Sequence, residues 1–233
     1  LRHQTTHDVA DRSLLAIAPV DYSTPLKLPP LSGSDASLDR IGSVFGGSLT
    51  LTKSTATKNQ FVRNAHDFDV IHFYSHAMAD TLGNEPVIYF YDSALHLSEL
   101  RNLPDLKTRL VLLFACNSGV GKSIKGEGIL SLARGFAAAG IPSTISAMWE
   151  IDSRTTYSIA ELFFSNLASG LPSDVALQQA KLEFVDTGDQ QHQLPYFWAA
   201  PVLIGKAETH DRGGIKSLTG LGIVAILLLA ILI

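Results

Sequence analysis

Between residues 14 and 205, short apolar runs, several of them continuously apolar, alternate with stretches whose apolar residues recur at helical spacing. Strand-and-helix crossovers around a mostly parallel sheet produce this alternation, because strands covered by helices on both faces have no polar side to show. Runs 14–20, 69–74, 86–91, 109–115, 144–149 and 201–204 are the expected strands. Stretches 37–45, 58–65, 127–139, 155–168 and 173–184 are the expected helices. Gly140 suits the end of the third helix, and the Gly-Leu-Pro break before Ser173 and Asp174 suits the start of the last. The proline-bearing segment 23–34 and the segment 188–195 read as surface loops. With 233 residues, 46% of them hydrophobic, the chain can bury a full core, and a single α/β domain over residues 1–208 is expected.

Lys and Arg number 18 against 22 Asp and Glu, a net charge of −4. No basic stripe is present for binding a phosphate backbone, so nucleic acid is not an expected partner. The single cysteine, Cys116, excludes an intrachain disulfide and fits a reducing compartment. The chain begins at Leu1, shows no signal-peptide pattern, and reads as a fragment. Residues 217–233 carry no charge. As a helix they would reach about 25 Å at ~1.5 Å per residue, against a hydrocarbon core of ~30 Å, so the expectation is a short or truncated membrane span. A linker at 209–216 joins it to the domain, and Arg212 and Lys216 before the span place the domain in the cytoplasm by the positive-inside tendency. The alternative is an apolar core helix.

Two runs end on reactive groups. "DVIHFYSHA" delivers His76, and "RLVLLFACNSG" delivers Cys116, each where a parallel strand should give way to a loop. Side chains at the carboxyl ends of neighbouring parallel strands converge on one crevice. There an imidazole can take the thiol proton, leaving a thiolate to attack a carbonyl, and later protonate the leaving amine. The plainer reading of Cys116 is a small buried apolar residue. His72 reads as a packed, hydrogen-bonded histidine, and further ligands at zinc-site spacing are missing, so neither metal nor cofactor is expected. A competing reading takes Gly121, Lys122 and Ser123 as the end of a phosphate-binding P-loop, although Cys116 stands where that motif begins with glycine.

"DVIHFYSHA", "LVLLFACNSGVGKSIKGEGILSLARGFAAAGIPSTISAMWEID" and "LPYFWAAPVLIG" together resemble the CHAT family of caspase-like cysteine peptidases, related to separases and caspases. The similarity spans residues 14–205 in the family's order of motifs: the second histidine of H-x-x-x-H, A-C-x-[ST]-G, G-E-G-x-x-x-L-A-R-x-F, W-x-x-D, and a closing Y-[YF]-W-A strand. The resemblance implies a caspase-hemoglobinase fold and an endopeptidase acting on a protein or peptide in a regulatory setting. It further implies His76 as general base and acid, Cys116 as nucleophile, and an oxyanion hole from the backbone N–H groups of Cys116 and Ala77. Relatives often carry tetratricopeptide repeats, and an inactive CHAT-like scaffold is the reading opposed to catalysis.

Three positions depart from the pattern. Ala77 replaces the usual glycine, which matters if the position needs φ > 0; Asn117 and Ser118 replace an acidic residue and threonine; and Pro201 enters the last strand, where it suits a strand start or an edge. Trp149 and Asp152 are expected on the rim beside Cys116. There Asp152 either selects a basic substrate side chain or caps the following helix, and Glu127 reads as a helix-start carboxylate.

Overall fold

Alternate residues of the expected strands other than 86–91 pack on opposite faces of one sheet. The computed structural model describes residues 12–78, 85–103, 106–114 and 127–207. In chain order its elements are β1 (Ser13–Ala18), α1 (Ser34–Gly42), β2 (Gly47–Thr52), α2 (Lys58–Asn64), β3 (Val70–Phe73), β4 (Ala77–Met78), β5 (Val87–Tyr89) and β6 (Ala94–His96). They continue with β7 (Leu110–Leu113), α3 (Glu127–Ala138), β8 (Ser143–Ala147), α4 (Ser153–Ala168), α5 (Ser173–Thr187), α6 (Pro195–Trp198) and β9 (Pro201–Gly205).

The main sheet runs β2-β1-β3-β7-β8-β9 among the described residues, parallel except for the antiparallel edge strand β9. Leu14, Ala16, Val70, Leu110, Leu112 and Ile145 face one side, where Leu38 and Ile41 of α1, Phe163 and Phe164 of α4 and Ala176 of α5 cover them. Leu15, Ile17, Ile71, Phe73, Val111 and Leu113 face the other, under Phe61 of α2 and Phe136 of α3. The period of two along each strand forces this split, and burial on both faces explains why β1, β3 and β7 are almost wholly apolar. Each fully buried Leu or Phe contributes roughly 1.5–3 kcal/mol, so the sheet is a rigid platform for whatever its edge carries.

Some expectations need correction. The apolar run 86–91 forms β5, which lies not in the main sheet but in a small antiparallel sheet β4-β5-β6. Strand β2 is absent from the expected set: its Ser48, Leu49, Thr50 and Leu51 alternate because it is an edge strand, so it makes no continuous apolar run. Tyr196, Phe197 and Trp198 of the closing motif form the short helix α6, and the strand begins only at Pro201. Pro201 is thereby both a strand start and part of an edge strand, the places where its missing N–H is harmless. Gly140 ends α3 at φ +86°, a conformation closed by its own N–H on the Ala137 carbonyl and by the Ile141 N–H on Phe136. The linker 209–216 and the apolar run 217–233 lie outside the described residues, among which no helix is long and apolar enough to cross a membrane.

Candidate active site

The chain passes from β1 through α1 to β2 on one side, then returns to place β3 on the other side of β1. At such a reversal the loops leave the carboxyl ends of β1 and β3 in opposite directions and open a crevice. Tyr22 follows β1 and His76 follows β3, so both stand at this edge. Strand β7 adjoins β3 with Phe73 opposite Leu113, and β8 adjoins β7 with Leu113 opposite Ser146. In the sequence Cys116 follows β7 as His76 follows β3, and β7 is the neighbour of β3. Cys116 itself, with Asn117, Ser118, Gly121, Lys122 and Ser123, lies outside the described residues, as does the side chain of Glu127.

His76 is 4% exposed and held on all sides. Its ring Nε2–H donates to the Pro29 carbonyl at 2.8 Å, and its carbonyl accepts the Tyr89 N–H at 2.9 Å. Its backbone N–H donates to the Tyr22 hydroxyl at 3.0 Å, and the Tyr22 ring lies 5.2 Å from the imidazole at a tilt of 38°. Donation to Pro29 assigns the proton to Nε2 and leaves Nδ1 as the lone-pair nitrogen, buried and without a partner among the described residues. Burial pushes the imidazole below its ordinary pKa, while the Pro29 carbonyl and the Glu150 carboxylate pull it back upward. A neutral imidazole with a free lone pair is the form a general base needs.

Ala77, the residue implied for the oxyanion hole, opens β4 opposite Ile88. Among the described non-glycine residues only Val20, Lys27 and Lys53 have positive φ, so Ala77 sits without the strain that its replacement of glycine raised. The Tyr89 N–H to His76 carbonyl bond makes these two residues a hydrogen-bonded pair. By the alternation of an antiparallel ladder, the Ala77 N–H is then turned away from β5.

The rim after β8 is set by hydrogen bonds. Trp149 is 40% exposed; its indole N–H donates to the Tyr196 carbonyl at 2.7 Å, and the Tyr196 hydroxyl donates to the Glu150 carbonyl at 2.9 Å. Asp152 is the N-cap of α4, one oxygen accepting the Thr155 N–H at 3.0 Å and the other the Thr155 hydroxyl at 2.6 Å. Burial raises its pKa, but these two bonds, together with the His192 charge and the Arg154 N–H, hold it below the ordinary value. A small cleft lined by Leu31, Tyr74, Ser75, Phe114, Thr156 and Tyr157 lies at the same edge.

His72 lies within the core, its Nδ1–H donating to the Leu112 carbonyl at 3.2 Å and its pKa driven by burial to about 3. It is a packed histidine. No cluster of His, Cys, Asp and Glu among the described residues is arranged to hold a metal. Sequence reasoning missed Tyr22, Pro29 and Glu150. The rule that located His76, the end of a parallel strand, applies equally to Tyr22; Pro29 acts through its carbonyl, for which no side chain gives a sign.

A family model described as "CHAT domain" matches residues 1–206. Tetratricopeptide repeat protein 28 of Mus musculus is 28% identical over 113 residues, which cover 48% of this chain and 4% of that protein. The fold is similar to that in the crystal structure of the Arg specific cysteine proteinase gingipain R, with a TM-score of 0.59, 10% identity, and coverage of 88% of this chain and 48% of that one. It is similar also to the Saccharomyces cerevisiae separase–securin complex, with a TM-score of 0.53, 13% identity, and coverage of 85% of this chain and 12% of that one. The chain thus spans less than half the length of each of these proteins, and at these identities the two solved structures speak to the fold alone, an α/β sandwich like that of caspase-like peptidases.

Proposed function

The chain belongs to the CHAT domain family, and from that premise we propose that it is a cysteine endopeptidase of the caspase-like type, with Cys116 as nucleophile and His76 as base. The observation that carries this reading is the register of β3 against β7: the two strands are neighbours, and in the sequence His76 follows closely after the one and Cys116 after the other. It is supported by the neutral His76 ring, whose Nδ1 has no partner among the described residues.

In the proposed reaction the His76 Nδ1 takes the thiol proton and the sulfur bonds to the substrate carbonyl carbon. The oxygen becomes an oxyanion, facing the N–H groups of Ala77 and Cys116. The C–N bond then breaks, the His76 proton passes to the leaving amine, and a thioester remains. Water, deprotonated by His76, attacks the thioester; the C–S bond breaks and the proton returns to sulfur. The open face of Trp149 is proposed to meet the substrate, whereas Asp152, with both oxygens on Thr155, is proposed to shape that rim by capping α4. Repeats of the kind named in the mouse relative are proposed to deliver protein substrates.

Mixed fluorogenic peptides at neutral pH test the proposal: turnover should be blocked by a thiol alkylator and lost in Cys116→Ala and His76→Ala. Equal turnover in Cys116→Ala would refute it. The scaffold reading is favoured by one observation, the 4% exposure of His76, and is supported instead if the wild-type chain cleaves none of the peptides while still binding protein partners.

A further inference from the structure

Between β4 and β5, the first ladder rung is only half made. The Tyr89 N–H reaches the His76 carbonyl, but the His76 N–H turns instead to the Tyr22 hydroxyl, and the Tyr89 carbonyl accepts from the Ser75 hydroxyl. Because the Ser75 proton is given to Tyr89, the Tyr22 hydroxyl, 3.3 Å from Ser75 Oγ, donates to that oxygen. A relay results, from the His76 N–H to Tyr22, from Tyr22 to Ser75, and from Ser75 to Tyr89, each member polarising the next. Within it, Tyr22 replaces a strand partner with a side chain from another part of the fold.

The segment carrying Tyr22 is itself fastened. Val20 is buried at φ +63°, a rare and strained backbone for a β-branched residue, and its turn is closed by the Asp21 N–H on the Pro19 carbonyl at 2.7 Å. The Leu31 N–H then donates to the Val20 carbonyl at 2.7 Å, so residues 20–31 form a loop with joined ends. This one loop brings two groups to His76: the Tyr22 hydroxyl to its backbone and the Pro29 carbonyl to its ring. Strain of this kind persists where the surrounding structure over-determines the conformation.

We infer that Tyr22 is a positioning residue, which by accepting the His76 N–H and covering the imidazole keeps that ring in the orientation where Nε2 is protonated toward Pro29 and Nδ1 is the basic nitrogen. The inference rests on the proposed role of His76 as general base, but its signature is visible without turnover. The ring faces the Tyr22 phenol, itself pushed up to about 12 by burial, and feels the charge of the Glu150 carboxylate. The ring is read at one fixed pH in every variant, so a change in its tautomer reports its position.

The test uses the full chain labelled with 15N-histidine, with long-range 1H–15N spectra at pH 7.5 and His76 assigned by a His76→Gln variant. The wild-type protein should show His76 as the single Nε2–H tautomer. Tyr22→Phe, which keeps the ring and removes the acceptor, should give a mixture of tautomers, and Ser75→Ala, which removes the next member of the relay, a smaller mixture. The His72 resonance should stay unchanged in both, showing an intact core. With a cleaved peptide, Tyr22→Phe should lower kcat on the order of 10- to 100-fold, leaving KM within about twofold, as misplacement of a base does. A pure Nε2–H tautomer in both variants overturns the inference, whatever the turnover. A mixed tautomer in Tyr22→Phe beside a wild-type chain with no thiol-dependent turnover supports the positioning role and sinks the peptidase reading instead.

Discussion

His72 should make the fold acid-sensitive to a degree that one substitution can isolate. Its ring is fully buried, edge-on to Tyr74 at 4.2 Å and to Phe164 at 5.1 Å, and its Nε2 has no partner among the described residues. Burial depresses the pKa from 6.5 to about 3, with the Leu112 carbonyl opposing weakly. Below pH 6.5 an unfolded chain binds a proton here that the native chain refuses, so stability falls as pH falls and levels off only near pH 3. The slope approaches about 1.4 kcal/mol per pH unit, and at pH 5, 1.5 units below the ordinary value, the loss is about 2 kcal/mol, a large share of a typical 5–15 kcal/mol. His72→Phe keeps a ring among the same aromatic neighbours and removes the titration. Its lost bond to Leu112 and its extra volume add a pH-independent offset of roughly 1–3 kcal/mol, which cancels when each chain is compared with itself. Urea unfolding of both chains at pH 7.5 and 5.0, at constant ionic strength, should show the wild type losing about 2 kcal/mol more than the variant. Every other group is common to both chains and drops out of the difference. Parallel losses in the two chains would refute the argument that burial keeps His72 neutral.

Asp152→Ala should lower urea stability by about 1 kcal/mol through loss of the α4 cap and leave the substrate's charge preference unchanged; a lost preference for basic peptides would restore Asp152 as the selecting group. Gly135→Ala should destabilise the chain, because the new Cβ would meet Leu97 side-chain carbons at 2.3–3.2 Å. That overpacking costs about 1–3 kcal/mol against the ~1 kcal/mol by which alanine favours a helix, and Leu97→Ala in the same chain should relieve it, as thermal unfolding would show. The run 217–233 is proposed as a membrane anchor: the intact chain should pellet with lipid vesicles and a chain cut after Gly213 should not, whereas an intact chain that stays in the supernatant contradicts it.

The parts of the fold legible from residue order are those governed by local periodicity. The runs behind β1, β3 and β7 stand out because strands buried on both faces carry apolar residues at nearly every position. Strand β2 does not, since one of its sides faces solvent, and the run 86–91 reads as a strand but not as part of the small sheet it joins, because an apolar run carries no record of which neighbour it pairs with. In the same way, Asp152 before a helical stretch announces a cap, yet only the bonds to Thr155 show that both of its oxygens are occupied.

Taken alone, the residue order determines the α/β class, the family motifs, and the strand end that His76 follows, since each depends on residues close together in the chain. The tertiary structure alone decides that β1 and β3 are neighbours, and hence that a phenol from Tyr22 and a carbonyl from Pro29 close on His76 and set which ring nitrogen holds the proton. Those contacts join segments some fifty positions apart, and hydrogen bonds reach only about 3 Å, so nothing short of the folded sheet brings their partners together.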